Sequence, residues 1–170
     1  MRPLVVIVMG VSGCGKSTIA GLVAERLHWD LLEGDELHPK ANVEKMSHGI
    51  PLDDNDRRPW LEAISRWIDG RIRSGRPALV TCSSLKRSYR DILRGGSEKG
   101  VVAFAHLSGS RELLMERMKA RKGHFMPASL LDSQLATLEP LQPDETGIVI
   151  DIGEIPAEEA DQVIEGLHLA

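Results

Sequence analysis

Short apolar runs alternate with segments of helical periodicity along the whole chain. Residues 4–9, Leu-Val-Val-Ile-Val-Met, have the length and residue types of a buried strand. Similar runs occur at 29–32, 78–82, 101–107 and 147–151. The alternation predicts βαβ units around a mainly parallel sheet, with any ligand bound outside the carboxyl ends of the strands.

Helical spacing is clearest after the first strand, in residues 17–27, and at Trp60, Ile64, Trp67 and Ile68. This spacing makes Trp60 and Trp67 core residues. Further helices are predicted around 86–94, from Leu113 to Met118 and from Ala160 to Leu167. Residues 36–58 are polar and irregular, with breaks at Pro39, Gly49 and Pro51.

Residues 10–17 read Gly-Val-Ser-Gly-Cys-Gly-Lys-Ser, a complete P-loop of pattern G-x-x-x-x-G-K-[ST]. The loop lies between a predicted strand and a predicted helix, the context in which backbone N–H groups surround a phosphate. We expect Lys16 to reach the β- and γ-phosphates and the Ser17 hydroxyl to bind Mg²⁺. The nucleotide-binding residues are then Gly10, Val11, Ser12, Gly13, Cys14, Gly15, Lys16, Ser17 and Thr18.

The composition is that of one soluble domain spanning residues 1–170. Apolar residues make up 42% of the chain and charged residues 27%. The formal net charge of −4 argues against a nucleic-acid partner but allows an anionic substrate in a local basic cleft. The apolar start is too short for a signal peptide or a membrane span. Two cysteines, Cys14 and Cys82, fit free thiols in a cytoplasmic protein without membrane contact.

A carboxylate follows the second predicted strand, at Asp35. It is positioned to accept the proton of a substrate hydroxyl that attacks the γ-phosphate, or to help orient Mg²⁺ through water. The competing interpretation is an aspartate that caps the next helix.

The segment Asp53-Asp54-Asn55-Asp56-Arg57-Arg58-Pro59 combines acidic residues with an arginine pair. Its aspartates suit a helix start. Capping does not explain the arginines, and a guanidinium group binds two carboxylate oxygens at once. We expect one of Arg57 and Arg58 to contact a ligand, without a choice between them.

Basic residues recur in two later segments, first at Lys86, Arg87 and Arg90, then at Arg117, Arg121, Lys122 and His124. Charge on helices is usually a solvated face. Arg117 and Arg121 are four residues apart, however, and so share one side of a helix. Such a segment, closing over ATP as a lid at about 117–127, would place cations on the moving phosphate and exclude water.

The third strand ends without an aspartate, which favours a small-molecule kinase over a motor or GTPase design. Asp151 ends the fifth strand, where a metal role is the less favoured interpretation. Cys14 has two interpretations: a thiolate stabilised by the phosphate loop and therefore reactive, or an inert thiol packed against the sheet.

These motifs together resemble a known family, the bacterial gluconate kinases (gluconokinases) of the P-loop type. The matching segments are residues 10–17, 34–39, 45–46, 49–57, 59–61, 82–86, 89–91, 119–126, 133–134 and 138–140, with Asn42 and Asp151. The P-loop alone is unspecific, whereas the other segments in this order are specific. The resemblance covers nearly the whole chain.

The resemblance implies ATP- and Mg²⁺-dependent phosphorylation of D-gluconate at its 6-hydroxyl. It also implies a fold similar to nucleoside monophosphate kinases and shikimate kinase, with five parallel strands in the order 2-3-1-4-5, flanking helices and a mobile lid. Members of the family are often homodimers. The implied roles are Asp35 facing the attacking hydroxyl, Arg117 and Arg121 as lid cations, and His38, Arg57 or Arg58, Lys86 and His124 in the gluconate pocket.

Two alternatives stay open at this point. Another small hydroxy acid such as shikimate is an alternative acceptor, which a panel of acceptors would separate from gluconate. A regulatory module that only senses ATP is the alternative outside enzymes. It would bind ATP without releasing ADP when an acceptor is added, and it leaves Asp35 unexplained.

Overall fold

The computed structural model describes residues 2–120 and 128–170, which form a five-stranded sheet with helices on both faces. The strands are β1 (Val5–Met9), β2 (Asp30–Glu33), β3 (Ala78–Thr81), β4 (Val102–Ser108) and β5 (Gly147–Asp151). Their order is β2-β3-β1-β4-β5, and every neighbouring pair is parallel. The predicted fold class and strand order are confirmed.

The helices are α1 (Lys16–Leu27), α2 (Lys40–Ser47), α3 (Asp54–Ser74), α4 (Arg87–Arg94), α5 (Arg111–Ala120), α6 (Ala128–Thr137) and α7 (Pro156–Gly166). A 3₁₀ turn, Gly34–Leu37, follows β2. Helices α2 and α6 were not predicted. Helix α2 buries one residue, Asn42, and helix α6 buries two, Leu130 and Leu131. Neither helix therefore shows apolar residues at a regular helical spacing in the sequence.

The central strand β1 explains why the chain begins with an uninterrupted apolar run. All five of its residues are fully buried, because helices cover both faces of the sheet. Strand β1 pairs with β3 on one side and β4 on the other. Its carboxyl end therefore opens into the middle of the sheet edge, where the P-loop begins.

Helix α3 begins earlier than its first apolar residue suggests. The Asp53 side chain accepts a hydrogen bond from the Asp56 N–H at 2.7 Å, and the Asp56 carboxylate accepts one from the Asp53 N–H at 3.0 Å. This capping box starts the helix at Asp54. Pro59 consequently lies inside the helix. The start of the helix sets the direction of every later side chain, including Arg57 and Trp60.

A buried ion pair joins α4 to the segment before β5. Arg90 and Glu145 both have fully buried side chains, and the guanidinium donates to the two carboxylate oxygens at 2.7 and 3.0 Å. Arg90 also donates to the backbone oxygens of Ser84 and Glu139. Although burial acts to raise the pKa of the Glu145 carboxyl, the hydrogen bond from Arg90 holds that pKa below its ordinary value. The pair is thus fully hydrogen-bonded, as a buried ion pair must be.

The carboxyl ends of β1, β2 and β3 meet at one rim, as the topology predicts. Gly34 lies so close to β3 there that a Cβ atom would stand 2.1 Å from the Thr81 backbone oxygen, which no other residue type allows. Of the helices within residues 2–120 and 128–170, none is long and apolar enough to cross a lipid bilayer.

Candidate functional site

The P-loop joins β1 to α1 in a conformation that requires glycine. Gly10, Gly13 and Gly15 have φ angles of 147°, 86° and 94°. Gly15 directly precedes α1, and among the described residues no side chain caps that helix. The first N–H groups of α1 therefore point toward the rim without a side-chain acceptor, which is the arrangement that binds phosphate.

Lys16 lies folded over this loop. Its Nζ donates to the backbone oxygens of Gly10 at 3.0 Å and Val11 at 3.2 Å. The ammonium group is thus held beside the phosphate cradle by weak neutral acceptors. A phosphate would offer it a stronger, charged acceptor at the same place.

The Ser17 hydroxyl contacts a carboxylate that sequence reasoning missed. Ser17 Oγ donates to Glu33 Oε2 at 2.9 Å, and Thr81 Oγ1 donates to the same oxygen at 2.6 Å. Hydroxyl and carboxylate oxygens are ligands that suit Mg²⁺. The described residues contain no cluster of three or more acidic, histidine or cysteine ligands. A Mg²⁺ ion at Ser17 and Glu33 would therefore need further ligands, which phosphate oxygens and water can supply. The available signal was the position of Glu33 at the end of β2.

A cavity of about 620 Å³ extends over the P-loop to both sides. Elements beyond β4 and β5 contribute Arg117, Pro156 and Glu159 to one end. Elements beyond β3 and β2 contribute the other end, whose polar lining residues include Asp35, His38, Arg57 and Ser83. The volume suffices for a substrate-sized ligand. Because Lys16 lies between the two ends, the cavity has the layout of two ligands that meet at a phosphate.

Asp35 lies in the 3₁₀ turn after β2, with its side chain 79% exposed. Helix α2 begins after Pro39, so Asp35 is not the cap of that helix. The sequence left a base and a cap as alternatives, and the geometry removes the second. The Asp35 carboxylate is available to a ligand at the Arg57 end of the cavity.

His38 is packed beside Asp35 in a neutral state. Its ring stacks on Trp60, with centroids 3.9 Å apart and planes 15° apart. Burial, assisted by the positive charge of Arg57 and opposed by Asp35, lowers the pKa of His38 to about 4. Trp60 is a core residue, as predicted, but it also forms part of the cavity wall.

The two arginines that the sequence left as alternatives occupy different environments. Arg57 is only 8% exposed and lines the cavity, whereas Arg58 is exposed on the outer side of α3. The Arg57 guanidinium donates to Tyr89 Oη at 2.9 Å. Of the pair, Arg57 is therefore the one placed to meet a ligand.

Lys86 lies outside the main cavity. Its Nζ donates to Asp54 Oδ1 at 3.0 Å, in a shallow pocket that it shares with Arg57. The hydrogen bond to Asp54 raises the pKa of Lys86. Lys86 thus lies in a pocket beside the main cavity, with its charge paired to Asp54.

Of the predicted lid, residues 117–120 can be described, and Arg117 is the cation among them that lines the cavity. It lies near the end of α5, lines the cavity, and donates to the Ile152 backbone oxygen at 2.5 Å. Arg121, Lys122 and His124 lie outside the described residues, as does most of the 117–127 segment.

Cys14 corrects one sequence interpretation. The thiol is fully buried beneath the loop, and burial raises its pKa against the smaller opposite effect of Lys16. Burial and the direction of this pKa contradict a stabilised thiolate and favour the inert thiol packed against the sheet. Burial likewise raises the pKa of Cys82, to about 11.

Two further residues near the cavity carried little sequence signal. Gln134 of α6 accepts a hydrogen bond from the Ser12 N–H at 2.8 Å, which ties α6 to the P-loop. Glu159 of α7 is 1% exposed, and its Oε1 has no hydrogen-bond partner among the described residues. Burial raises the pKa of Glu159. A glutamate on a helix normally indicates a solvated face, so its pattern gave no warning.

Comparisons with known proteins show which family the chain resembles. A family model described as an AAA domain matches residues 5–141. The chain is 52% identical over 145 residues to the gluconokinase of Gluconobacter oxydans (strain 621H), across 85% of this chain and 80% of that protein. The solved structure of a gluconokinase from Sinorhizobium meliloti 1021 has a TM-score of 0.88 and 47% identity, across 99% of this chain and 93% of that one.

A more distant likeness limits what the fold alone can say. A shikimate kinase from Bacteroides thetaiotaomicron has a TM-score of 0.70 at 12% identity, across 97% of this chain and 98% of that one. At that identity only the fold is shared. The two gluconokinases, in contrast, are about half identical to this chain over most of their length, which shows a common family as well as a common fold. The chain therefore belongs to the gluconokinase family of P-loop kinases.

Proposed function

We propose that this protein transfers the γ-phosphoryl group of ATP to the 6-hydroxyl of D-gluconate. One observation carries the proposal beyond family membership. The cavity places an exposed carboxylate, Asp35, and a buried guanidinium, Arg57, at the same end, with Lys16 beside them. Gluconate has a hydroxyl at one end and a carboxylate at the other, and these groups match a base and a cation.

In the transfer step, the oxygen of the gluconate 6-hydroxyl attacks the γ-phosphorus, and Asp35 accepts the proton of that hydroxyl. The new O–P bond forms while the bond between the γ-phosphorus and the β,γ-bridging oxygen breaks, and ADP leaves with that electron pair. Lys16 and the N–H groups of residues 10–18 stabilise the charge on the phosphate oxygens. The catalytic residues we propose are Lys16, Asp35, Arg117 and Arg121.

When bound, Mg²⁺ would neutralise negative charge on the phosphates. In this chain the Ser17 hydroxyl is the proposed ligand, and Glu33 is the carboxylate beside it. Thr81 holds Glu33 in place through its hydroxyl.

At the acceptor end, Arg57 is the proposed partner of the gluconate carboxylate, since a guanidinium binds both oxygens. His38 contacts the polyol. Lys86 and His124 are retained as proposed substrate contacts, and Arg58 as the weaker member of its pair. The segment at 117–127 is proposed as a lid that closes over ATP, with protection of Arg121 and Lys122 from trypsin as its test.

The deciding experiment is a coupled assay of ADP release with gluconate, shikimate and AMP as separate acceptors. Gluconate should stimulate ADP release strongly and the other two should not. Stimulation by shikimate alone would favour the alternative hydroxy-acid kinase. ATP binding without stimulation by any acceptor would favour a regulatory module.

We further propose that the protein is a homodimer, as members of the family often are. We also propose that it is cytoplasmic, because its two cysteines are free thiols. Light scattering on purified protein measures the assembly state directly. A mass of one chain, 18.7 kDa, would contradict the dimer.

A further inference from the structure

Asn42 is a buried amide whose orientation is set by its surroundings. It is 3% exposed, on α2, and its Nδ2 lies 2.8 Å from the Asp56 backbone oxygen. A backbone oxygen only accepts hydrogen bonds, so the NH₂ group must face it. The amide of Asn42 therefore cannot be turned around without losing this bond.

The same NH₂ group also faces His38. Asn42 Nδ2 lies 3.3 Å from His38 Nδ1. Because the amide nitrogen is a donor only, Nδ1 must be an acceptor and carry no proton. The neutral ring then holds its proton on Nε2. That nitrogen points to Asp35, whose Oδ1 is 3.8 Å away.

The surroundings of the His38 ring set its protonation state. Trp60 stacks on its face, and burial together with Arg57 disfavours a second proton. The negative charge of Asp35 acts in the other direction. The ring is therefore neutral near pH 7, with one defined donor directed at the cavity.

We propose that Asn42 is a positioning residue that holds His38 as a neutral Nε2–H donor to the acceptor hydroxyl, while Asp35 takes that hydroxyl's proton. This inference rests on the proposed function. A hydroxyl oxygen at about 2.8 Å from both His38 Nε2 and Asp35 Oδ1 fits beside their 3.8 Å separation. It would accept from one and donate to the other, which leaves a lone pair for the phosphorus.

The arrangement also decides which neighbour is the base. With its proton on Nε2, His38 has no lone pair toward the cavity and cannot compete for the hydroxyl proton. Asp35 is then the proton acceptor of the pair. The hydrogen bond from His38 keeps the attacking oxygen in line while the proton leaves.

The test is NMR of protein labelled with ¹⁵N in its six histidines, with His38 assigned by the signal missing in His38→Gln. Wild type at pH 7 should give the neutral Nε2–H signature at His38. Asn42→Asp replaces the donor by an acceptor of the same shape and should move the proton to Nδ1 or protonate both nitrogens. Asn55→Asp makes the same change at an exposed position of α3 and should leave the His38 signals in place.

Kinetics supply the second readout. Asn42→Asp should lower kcat/KM for gluconate about 5- to 100-fold, the loss of one well-placed hydrogen bond, with KM for ATP unchanged. It should also introduce a pH dependence near neutrality that wild type lacks. Should Asn42→Asp fail to fold, Asn42→Ala is expected to give a mixture of both neutral tautomers.

Three results would overturn the inference: an Nδ1–H or doubly protonated His38 in wild type, an unchanged tautomer in folded Asn42→Asp, or an unchanged tautomer in Asn42→Ala. Failure of the proposed function looks different. Wild type would then give the Nε2–H signature yet release no ADP with gluconate.

Discussion

Arg57 and Arg58 offer a matched pair of substitutions, because adjacent arginines point in different directions from one helix. Arg57→Met keeps the length of the side chain and removes its charge. Arg57 is 8% exposed in the cavity wall, and Arg58 is exposed to solvent. If Arg57 binds the gluconate carboxylate, the variant leaves that carboxylate without a partner in a partly buried site.

The expected size of the effect follows from that burial. Removing one partner of a buried charge pair costs about 2–5 kcal/mol. The cavity is open enough for water to reach the carboxylate, so the lower part of this range applies, which is about 30- to 300-fold in kcat/KM for gluconate. KM for ATP should stay within about twofold, since Arg57 lines the end of the cavity opposite Arg117 and Glu159. Arg58→Met should change neither constant by more than about twofold.

The loss must be separated from damage to the fold. Arg57 also donates to Tyr89 Oη, but that hydroxyl still donates to Asp54, so it is not left unpaired. Tyr89→Phe removes this bond, together with the one to Asp54, without touching the Arg57 charge, and should keep most of the gluconate affinity. The assay is ADP release with varied gluconate at saturating ATP, with thermal unfolding of each variant. An unchanged KM for gluconate in folded Arg57→Met, or an equal loss in Arg58→Met, would refute the carboxylate role.

Four further outcomes are expected. Lys16→Ala should lower kcat by about 100-fold or more with the fold intact, and near-normal turnover would exclude its phosphate role. Asp35→Asn should lower kcat strongly with little change in ATP affinity, whereas a fall in Tm alone would place the base elsewhere. Burial raises the pKa of Glu159, so the folded protein loses stability as the pH rises and this carboxyl ionises. Glu159→Gln removes that loss and should therefore raise Tm more at pH 8 than at pH 5. An equal change of Tm at both pH values would contradict this. Because burial raises its pKa, Cys14 should resist iodoacetamide in native protein at pH 7 and react after unfolding, as measured by mass spectrometry. Rapid alkylation of Cys14 in the native protein, with loss of activity, would contradict this.

The parts of the site that could be predicted are those whose signal is local. The P-loop combines a buried strand, glycines and a helix, and each has its own pattern in the sequence. Asp35 follows a strand end, so parallel topology alone placed it at the rim. The order of the strands came from the family resemblance, because periodicity does not say which strands are neighbours.

The parts that could not be predicted depend on tertiary packing. Adjacent residues point about 100° apart on a helix, so the choice between Arg57 and Arg58 depended on how α3 packs. Glu33 and Thr81 belong to different strands and meet only through their register. The orientation of Asn42 depends on a backbone oxygen of α3. The burial of Cys14 reversed the direction of its expected pKa, since the field of the loop was smaller than the effect of desolvation.

The buried pair Arg90–Glu145 has a consequence for how long a folded molecule lasts. The two residues are 55 positions apart, so their contact closes a long loop, and we expect it to form late in folding, after β4 is in place. Contacts that form after the folding barrier slow unfolding without speeding folding. We therefore expect this buried ion pair to lengthen the lifetime of the native state more than its contribution to equilibrium stability suggests.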